Sequence, residues 1–379
     1  MYFVHPQIQF KNILRAILAL FNPVKEKEVK DRLKEYFPNK QIIFTDMGRS
    51  AFKVILDKLN LRGSEMIMPS YICDIFFPIL KEYEIKPIFI DIDDNFHLDI
   101  NKIEEKITQN TKAIFFCHTY GLAFDVEKLL SIAKTHNLKV IEDCAHAFGL
   151  KIGDSYAGNF GDVSFFSLYK QFPSLRGGML VCPKDWNISL LKTSFNFRDF
   201  ISFLNHFPLF AFLFKSFGSE VAKKSPRKEK LLGAGGISRV PLRLFFDFLP
   251  IFEKSLENRK KLGLYFQDKL KEKGFRVQDQ RDNVFCYISI LVPENLESNR
   301  CKIVEGLRKY GVFCTRMWHT PIILNEEAQD YFQVKLEEFP NTIKSAKRVI
   351  NFPLQNHYRK RDINRIIKVV NRVLLYTQN

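Results

Sequence analysis

The chain lacks any cysteine spacing that would hold a metal or close a small disulfide loop. Its seven cysteines (Cys73, Cys117, Cys144, Cys182, Cys286, Cys301, Cys314) are an odd number with no C-x-x-C pair among them. Buried, reduced thiols in a reducing compartment are the expectation, rather than a zinc or disulfide scaffold. Acidic residues are in deficit: 42 Asp and Glu stand against 58 Lys and Arg, a net charge of +16. Such a surplus suits nucleic acid, an anionic membrane or an anionic substrate. No helix-turn-helix, RNA-binding or zinc motif accompanies it, and the basic clusters at Lys223–Lys230 and Arg359–Arg365 are small, so nucleic acid is not expected as a partner. No cleavable leader is expected either. In MYFVHPQIQFKNILRAILALFNPV, His5-Pro6 precede the apolar part and no small-residue cleavage site follows it. Cytoplasmic residence is the expectation, with the inner membrane face as an alternative. No apolar run is free of polar groups over a bilayer's depth. Phe200–Phe217 contains Asn205, His206, Pro208 and Lys215, which argue against a span. Surface association through its Phe and Leu stays open, but packing on a partner subunit or the C-terminal domain is favoured.

What is present is enough chain for a sizeable core: 379 residues, 46% hydrophobic, too long for one small domain. From Ile42 short apolar strands alternate with helical spacing. Strands are expected at Met66–Met68, Lys86–Ile90, Ala113–Cys117 and Val140–Ile141, and helices at Gly48–Leu61, Cys73–Tyr83, Ile100–Ile107 and Val126–His136. The alternation predicts an α/β fold with a mostly parallel sheet covered by helices on both faces. Ligands then sit at the C-terminal strand ends, where Arg49-Ser50, His118 and Asp143 fall. After Asn258 a smaller α+β domain is expected, with strands at FRVQ, VFCYISILV and VFCTRMW and helices at IVEGLRKY and Ile363–Leu375. The predicted divisions are a helical segment 1–40, a large domain 41–250 with an apolar and basic insertion at about 196–232, and a small domain 251–379.

The stretch from Val140 to Gly178 carries the most chemistry. A short apolar strand ends in Glu142-Asp143, and Lys170 follows in Phe165-Phe166-Ser167-Leu168-Tyr169-Lys170 before Gly177-Gly178. The separation, 170 − 143 = 27 residues, leaves room for a hairpin and one returning strand. An acid at a buried strand end and a lysine downstream are the two fixed groups of pyridoxal phosphate (PLP) enzymes, where the acid pairs with the ring nitrogen and the lysine forms the Schiff base. Glu142 points the other way if this is still strand.

VIEDCAHAFG, GNFGDVSFFSLYK and the following GG resemble the signature of the DegT/DnrJ-type nucleotide-sugar aminotransferases. GRSA at Gly48–Ala51, MIMPSYIC, KPIFIDIDDNFHLDINKI and TKAIFFCHTYGLAFDVEKL are similar to the same family, in the same order. The likeness is dense over 42–183, weaker over 233–375, and absent over 1–40 and about 196–232. It implies the fold type I architecture of PLP-dependent transferases and, from S-x-x-K in Ser167–Lys170, the shorter variant branch of the family.

By that resemblance Lys170 is the catalytic, cofactor-bearing lysine and Asp143 the ring-nitrogen acid. His146 lies near the ring oxygen, and Ser50, the Ala51 amide and Ser167 hold the phosphate. A helix start with free N–H groups suits that anion. Arg49 replaces a small residue of the family and adds a charge toward the ligand. The family's stacking aromatic falls at Cys73, with Tyr71 nearby. Its acid before GG is Arg176, and its partner-subunit Asn-x-Arg aligns with Ile237-Ser238-Arg239, so Ser238 either substitutes or the contact is lost. His118 and His319 complete the substrate-binding candidates; no metal ligands are expected.

The activity so implied moves an amino group from an amino acid, glutamate by expectation, to a keto sugar carried on a nucleotide, in amino-sugar or surface polysaccharide synthesis. The alternative is a non-catalytic or regulatory PLP-fold protein at a membrane or in a complex. A dehydratase is disfavoured, because that branch has histidine where Lys170 stands. A homodimer is implied, its site completed by the segment Gly233–Arg239 and its interface burying the apolar runs Phe200–Phe217 and Val240–Phe252.

Overall fold

A computed structural model of the chain describes residues 1–217, 234–279 and 282–377. The N-terminus contributes helices α1 (Ile13–Phe21) and α2 (Glu26–Leu33). A seven-stranded sheet follows: β1 (Gln41–Thr45), β2 (Glu65–Pro69), β3 (Lys86–Ile90), β4 (Thr111–Cys117), β5 (Lys139–Asp143), β6 (Val163–Ser167) and β7 (Gly178–Cys182). Its order is β1-β7-β6-β5-β4-β2-β3. β7 runs antiparallel to both neighbours; every other pairing is parallel. Helices α3 (Gly48–Lys58), α4 (Phe77–Glu82) and α5 (Val126–Thr135) make the crossovers. This is the expected fold type I sheet.

Strand composition explains the two-sided burial. Along β2, β4 and β5 successive apolar side chains alternate between two cores. Met66, Met68, Phe115 and Ile141 pack with Phe52 and Phe76 on one face. Ile67, Ile114, Phe116 and Val140 pack with Leu129 and Ile132 on the other. Phe115 is fully buried, and truncating it to Ala would cost about 3–5 kcal/mol.

Two short helices, α6 (Phe197–Leu204) and α7 (Pro208–Phe217), occupy the described part of the insertion. The break falls before Pro208, whose ring cannot continue a helix. Among the described residues, no helix is long and apolar enough to cross a membrane. The basic run Lys223–Lys230 and Gly233 lie outside the described residues. The 33-residue α8 (Arg239–Lys271) then runs from the large sheet into the small domain, so the expected boundary at 250/251 falls inside one continuous helix. The small domain has an antiparallel sheet of β8 (Arg276–Val277), β9 (Ile288–Leu291) and β10 (Val349–Phe352). It carries α9 (Arg300–Lys309), α10 (Pro340–Arg348) and α11 (Lys360–Thr377). The chain's start returns here: Tyr2–Phe3 pairs in parallel with Val312–Phe313.

Three sequence expectations are corrected. Ile100–Ile107 is two 3₁₀ turns, Ile100–Lys102 and Glu104–Lys106. Asp99 takes the Asn101 amide and fixes a local turn instead of a longer helix. VFCTRMW forms a ladder only at Val312–Phe313; beyond it Trp318 takes a left-handed φ of 58°. The run Val240–Phe252 is not the exposed apolar patch the sequence suggests. Val240, Leu242, Leu244, Phe245, Phe248, Leu249 and Phe252 are core residues of the protomer, because helical spacing turns them onto the large sheet.

Candidate active site

Register brings the functional side chains to one end of the sheet. Cys117 on β4 is level with Asp143 on β5, and Asp143 with Phe165 on β6. Two residues further, Ser167 ends β6 beside Gly178 of β7, which in turn pairs with Thr45 at the end of β1. A single 3₁₀ turn, Leu168–Lys170, then carries the lysine over the strand ends.

Asp143 is buried. Its Oδ1 accepts the Ala145 amide at 2.8 Å, and its Oδ2 faces the Cys117 thiol at 3.6 Å. Burial raises its pKa; the charge of Lys170 and the Ala145 amide oppose this without cancelling it. Lys170 Nζ lies 2.9 Å from Nε2 of His146. The imidazole is buried, and its Nδ1 accepts the Tyr120 amide at 3.3 Å. Burial, joined by the lysine's charge, holds His146 well below its usual pKa, so the ring is neutral. With Nδ1 occupied as acceptor, Nε2 is the atom left to face the lysine.

The ring of His146 is walled by Tyr120, Tyr287 and Trp318, at centroid distances of 5.8, 5.4 and 5.4 Å. Trp318 comes from the small domain, and a left-handed non-glycine backbone of this kind costs about 1–3 kcal/mol. Cys117, Tyr120, Tyr287 and Trp318 did not stand out in sequence. Tyr120 and Cys117 flank the motif histidine of C-H-T-Y, whereas Trp318 is a lone aromatic with no pattern around it.

A second cluster forms where α3 begins. Its N-cap, Met47, has no side-chain oxygen to satisfy the first turn. Gly48 allows a close approach: a Cβ there would sit 2.7 Å from Oγ of Ser167 and 3.2 Å from the Phe166 carbonyl. The Ser167 hydroxyl therefore lies against the uncapped helix start, which also carries Arg49, Ser50 and Ala51. A positive helix end with hydroxyls beside it is an anion cradle.

Other candidates are placed elsewhere. His118 Nε2 lies 2.9 Å from Glu142 and its Nδ1 accepts the Phe124 amide, on the side of β5 away from Asp143. Glu142 also accepts the amides of Gly158, Phe160 and Gly161 at 2.7–3.0 Å. Cys144 brings a third ligand-type atom to the pair, within 4.8 Å, but its thiol donates to Glu142 as well. His118 is thus bound into a structural network rather than presented to a ligand.

Tyr71 is fully buried behind the aromatic wall, its hydroxyl 2.9 Å from that of Tyr120, so it backs the site without lining it. Arg176 pairs with Asp199 of α6 at 2.9 Å, donates to the Ser194 carbonyl and reaches Oγ of Ser238 at 3.5 Å. It ties the insertion to Gly177-Gly178. Gly235 and Gly236 are held on the edge of β1. His319 is exposed, next in sequence to Trp318, with its Nδ1 2.9 Å from the Arg316 carbonyl. Cys73 is half-buried and within reach of the charge of Lys170, as are Cys117 and Cys286.

The profile of the DegT/DnrJ/EryC1/StrS aminotransferase family matches residues 20–371. The chain belongs to this family. Among curated relatives of this DegT/DnrJ/EryC1/StrS aminotransferase is the dTDP-4-amino-4,6-dideoxy-D-glucose transaminase of Shigella dysenteriae. It is 25% identical over 343 residues, which are 88% of this chain and 86% of that protein. The GDP-perosamine synthase of Escherichia coli O157:H7 is 42% identical over 138 residues, covering 35% of this chain and 38% of that protein. In fold, the chain is similar to the sugar aminotransferase Spr1654 of Streptococcus pneumoniae over 100% of both chains, with a TM-score of 0.77 at 17% identity. PseC of Helicobacter pylori matches over 98% of each chain with a TM-score of 0.76 at 17% identity. Membership in an aminotransferase family sets aside the non-catalytic alternative.

Proposed function

We propose that this aminotransferase uses PLP to move an amino group from an amino acid to a keto sugar carried on a nucleotide. The observation that carries the reading is the meeting of Lys170, neutral His146 and buried Asp143 at one sheet end, beside an uncapped helix start faced by a serine hydroxyl. That donor set fits PLP. Asp143 would hold the proton of the ring nitrogen, and Lys170 the carbonyl end. Ser50, Ser167 and the first turn of α3 would hold the phosphate. When bound, PLP supplies an electron sink that lets an amino group be stored and passed on.

The chain's own part is positional and protonic. Lys170 Nζ carries the proton to and from the reacting carbon. His146, kept neutral by burial, orients that nitrogen without adding a competing positive charge. Cys73 leaves the ring face without the usual aromatic, and the wall of Tyr120, Tyr287 and Trp318 stands on the His146 side. The relatives act on GDP- and dTDP-linked sugars by name, which supports a nucleotide-linked acceptor and leaves the nucleobase open. Glutamate is the donor we would try first. The working unit in this reading is a homodimer, supported by the resemblance of Ile237–Arg239 to a segment that crosses between subunits.

The test is to load the purified protein with PLP, reduce it with borohydride and map the modified peptide. We expect the label on Lys170, and loss of colour when a panel of amino acids is added, with recovery on a matching keto sugar. A label on another lysine, or no amino exchange with any donor, would overturn the assignment.

A further inference from the structure

Helix α1 is built inside out. The residues it buries fully are small, Ala16 and Ala19, with Ile13 and Leu20 half-buried against the same core. Those it turns to solvent are large. Phe10, just before the helix, is 91% exposed; Leu14 is 69%, Leu18 53% and Phe21 78%, with Ile17 beside them at 41%. Positions 10, 14, 17, 18 and 21 form one helical stripe. An ordinary surface helix has the reverse pattern, and a contiguous apolar patch of this kind marks a binding surface.

The charge around the stripe selects what covers it. Residues 1–25 contain no Asp or Glu; the first acid is Glu26. Lys11, Arg15 and Lys25 are all exposed along the same segment. The start of α7 adjoins the segment that leads into α1, because the Ile8 amide donates to the His206 carbonyl at 2.7 Å, two residues before α7. There Leu209, Phe210 and Phe212 are exposed at 64%, 40% and 38%. A second copy docking by two-fold symmetry would set this all-cationic flank against itself. An anionic lipid surface meets both demands: its acyl boundary takes the Phe and Leu side chains, and its head groups take the Lys and Arg.

We infer that α1 and the start of α7 form a membrane-surface anchor, lying in the head-group layer of an anionic bilayer without crossing it. The inference is independent of the amino-transfer reading, since none of these residues belongs to the Lys170 site.

The test is co-sedimentation of the PLP-loaded full-length protein with vesicles of phosphatidylcholine, alone or with about 30 mol% phosphatidylglycerol. The wild type should pellet with the anionic vesicles and stay in solution with the neutral ones. Leu14→Ser with Leu18→Ser should weaken that partitioning about tenfold or more. Lys11→Gln with Arg15→Gln should weaken it several-fold and reduce its sensitivity to salt. Both variants should keep the melting temperature and the solution activity. The proposal fails if the wild type ignores anionic vesicles, or if the leucine variant binds them as well as the wild type, which would mean unspecific attraction to a basic surface. It also fails if the leucine variant halves the particle mass in light scattering without vesicles, because a second copy would then cover the stripe.

Discussion

Glu142 and Asp143 are consecutive, both buried and both carboxylates, yet they answer to opposite halves of the molecule. Burial pushes Glu142 up, but His118 and the amides of Gly158, Phe160 and Gly161 bring it below the usual range. Burial pushes Asp143 up as well, and there the single Ala145 amide, a weak thiol and the charge of Lys170 leave it raised. One carboxylate has its lone pairs taken by the fold. The other keeps an oxygen facing only a thiol, which is the condition for accepting a ligand's N–H. The strand's period of two makes this division, since neighbours on β5 face opposite sides of the sheet.

The sharpest way to break the contrast is to neutralise each acid in turn. Asp143→Asn should keep the fold, because the amide oxygen still accepts from Ala145. Turnover should lose about 3–5 kcal/mol of transition-state stabilisation, measured as kcat/KM against a keto-sugar substrate. Wild-type rates in that variant would end the functional half of the comparison.

Glu142→Ala should do the reverse. It strips His118, two buried amides and one half-buried amide of their acceptor, so unfolding free energy in urea should fall by about 3 kcal/mol or more. The protein that remains folded should hold PLP. A stable Glu142→Ala with lost cofactor affinity would invert the two roles.

His146 gives the smallest and most diagnostic effect. Its folded pKa lies below the unfolded value of about 6.5, so between the two the unfolded chain binds the extra proton. Stability should therefore fall as pH drops below about 6.5, by at most about 1.4 kcal/mol per pH unit from this group. His146→Gln should flatten that slope in urea melts at pH 5–7 relative to the wild type. An unchanged slope would place the titration elsewhere.

The strand and helix alternation of 42–183 was legible because the sheet is buried on both faces and its strands are short apolar runs. A strand end and a close spacing pointed to Asp143 and Lys170, and the family resemblance added His146. Which face a polar residue takes was harder to read. His118 sits at a strand end like Asp143, but register and the Gly158–Gly161 loop turn it to Glu142. Arg176 read as a substrate group because its partner, Asp199, lies in the insertion, where the resemblance stops. Trp318 was invisible: it reaches His146 through a left-handed turn in another domain, and a lone aromatic carries no period. The run Val240–Phe252 shows the opposite error. Its hydrophobicity was plain, but only the packing of α8 shows that the protomer's own sheet covers it.

The pairing of Tyr2–Phe3 with Val312–Phe313 has a consequence in time. Tyr2 and Phe3 find their strand partner only after some three hundred more residues have been made, and the Gln355 side chain that binds the carbonyls of Phe3, Val4 and His5 emerges later still. At about 5–20 residues per second the delay is tens of seconds. Throughout it Tyr2 and Phe3 lack their partner strand, and the stripe of α1 just behind them is already outside the tunnel. Whatever surface that stripe binds has the first opportunity to do so during synthesis, before the small domain exists to fix the N-terminus in place.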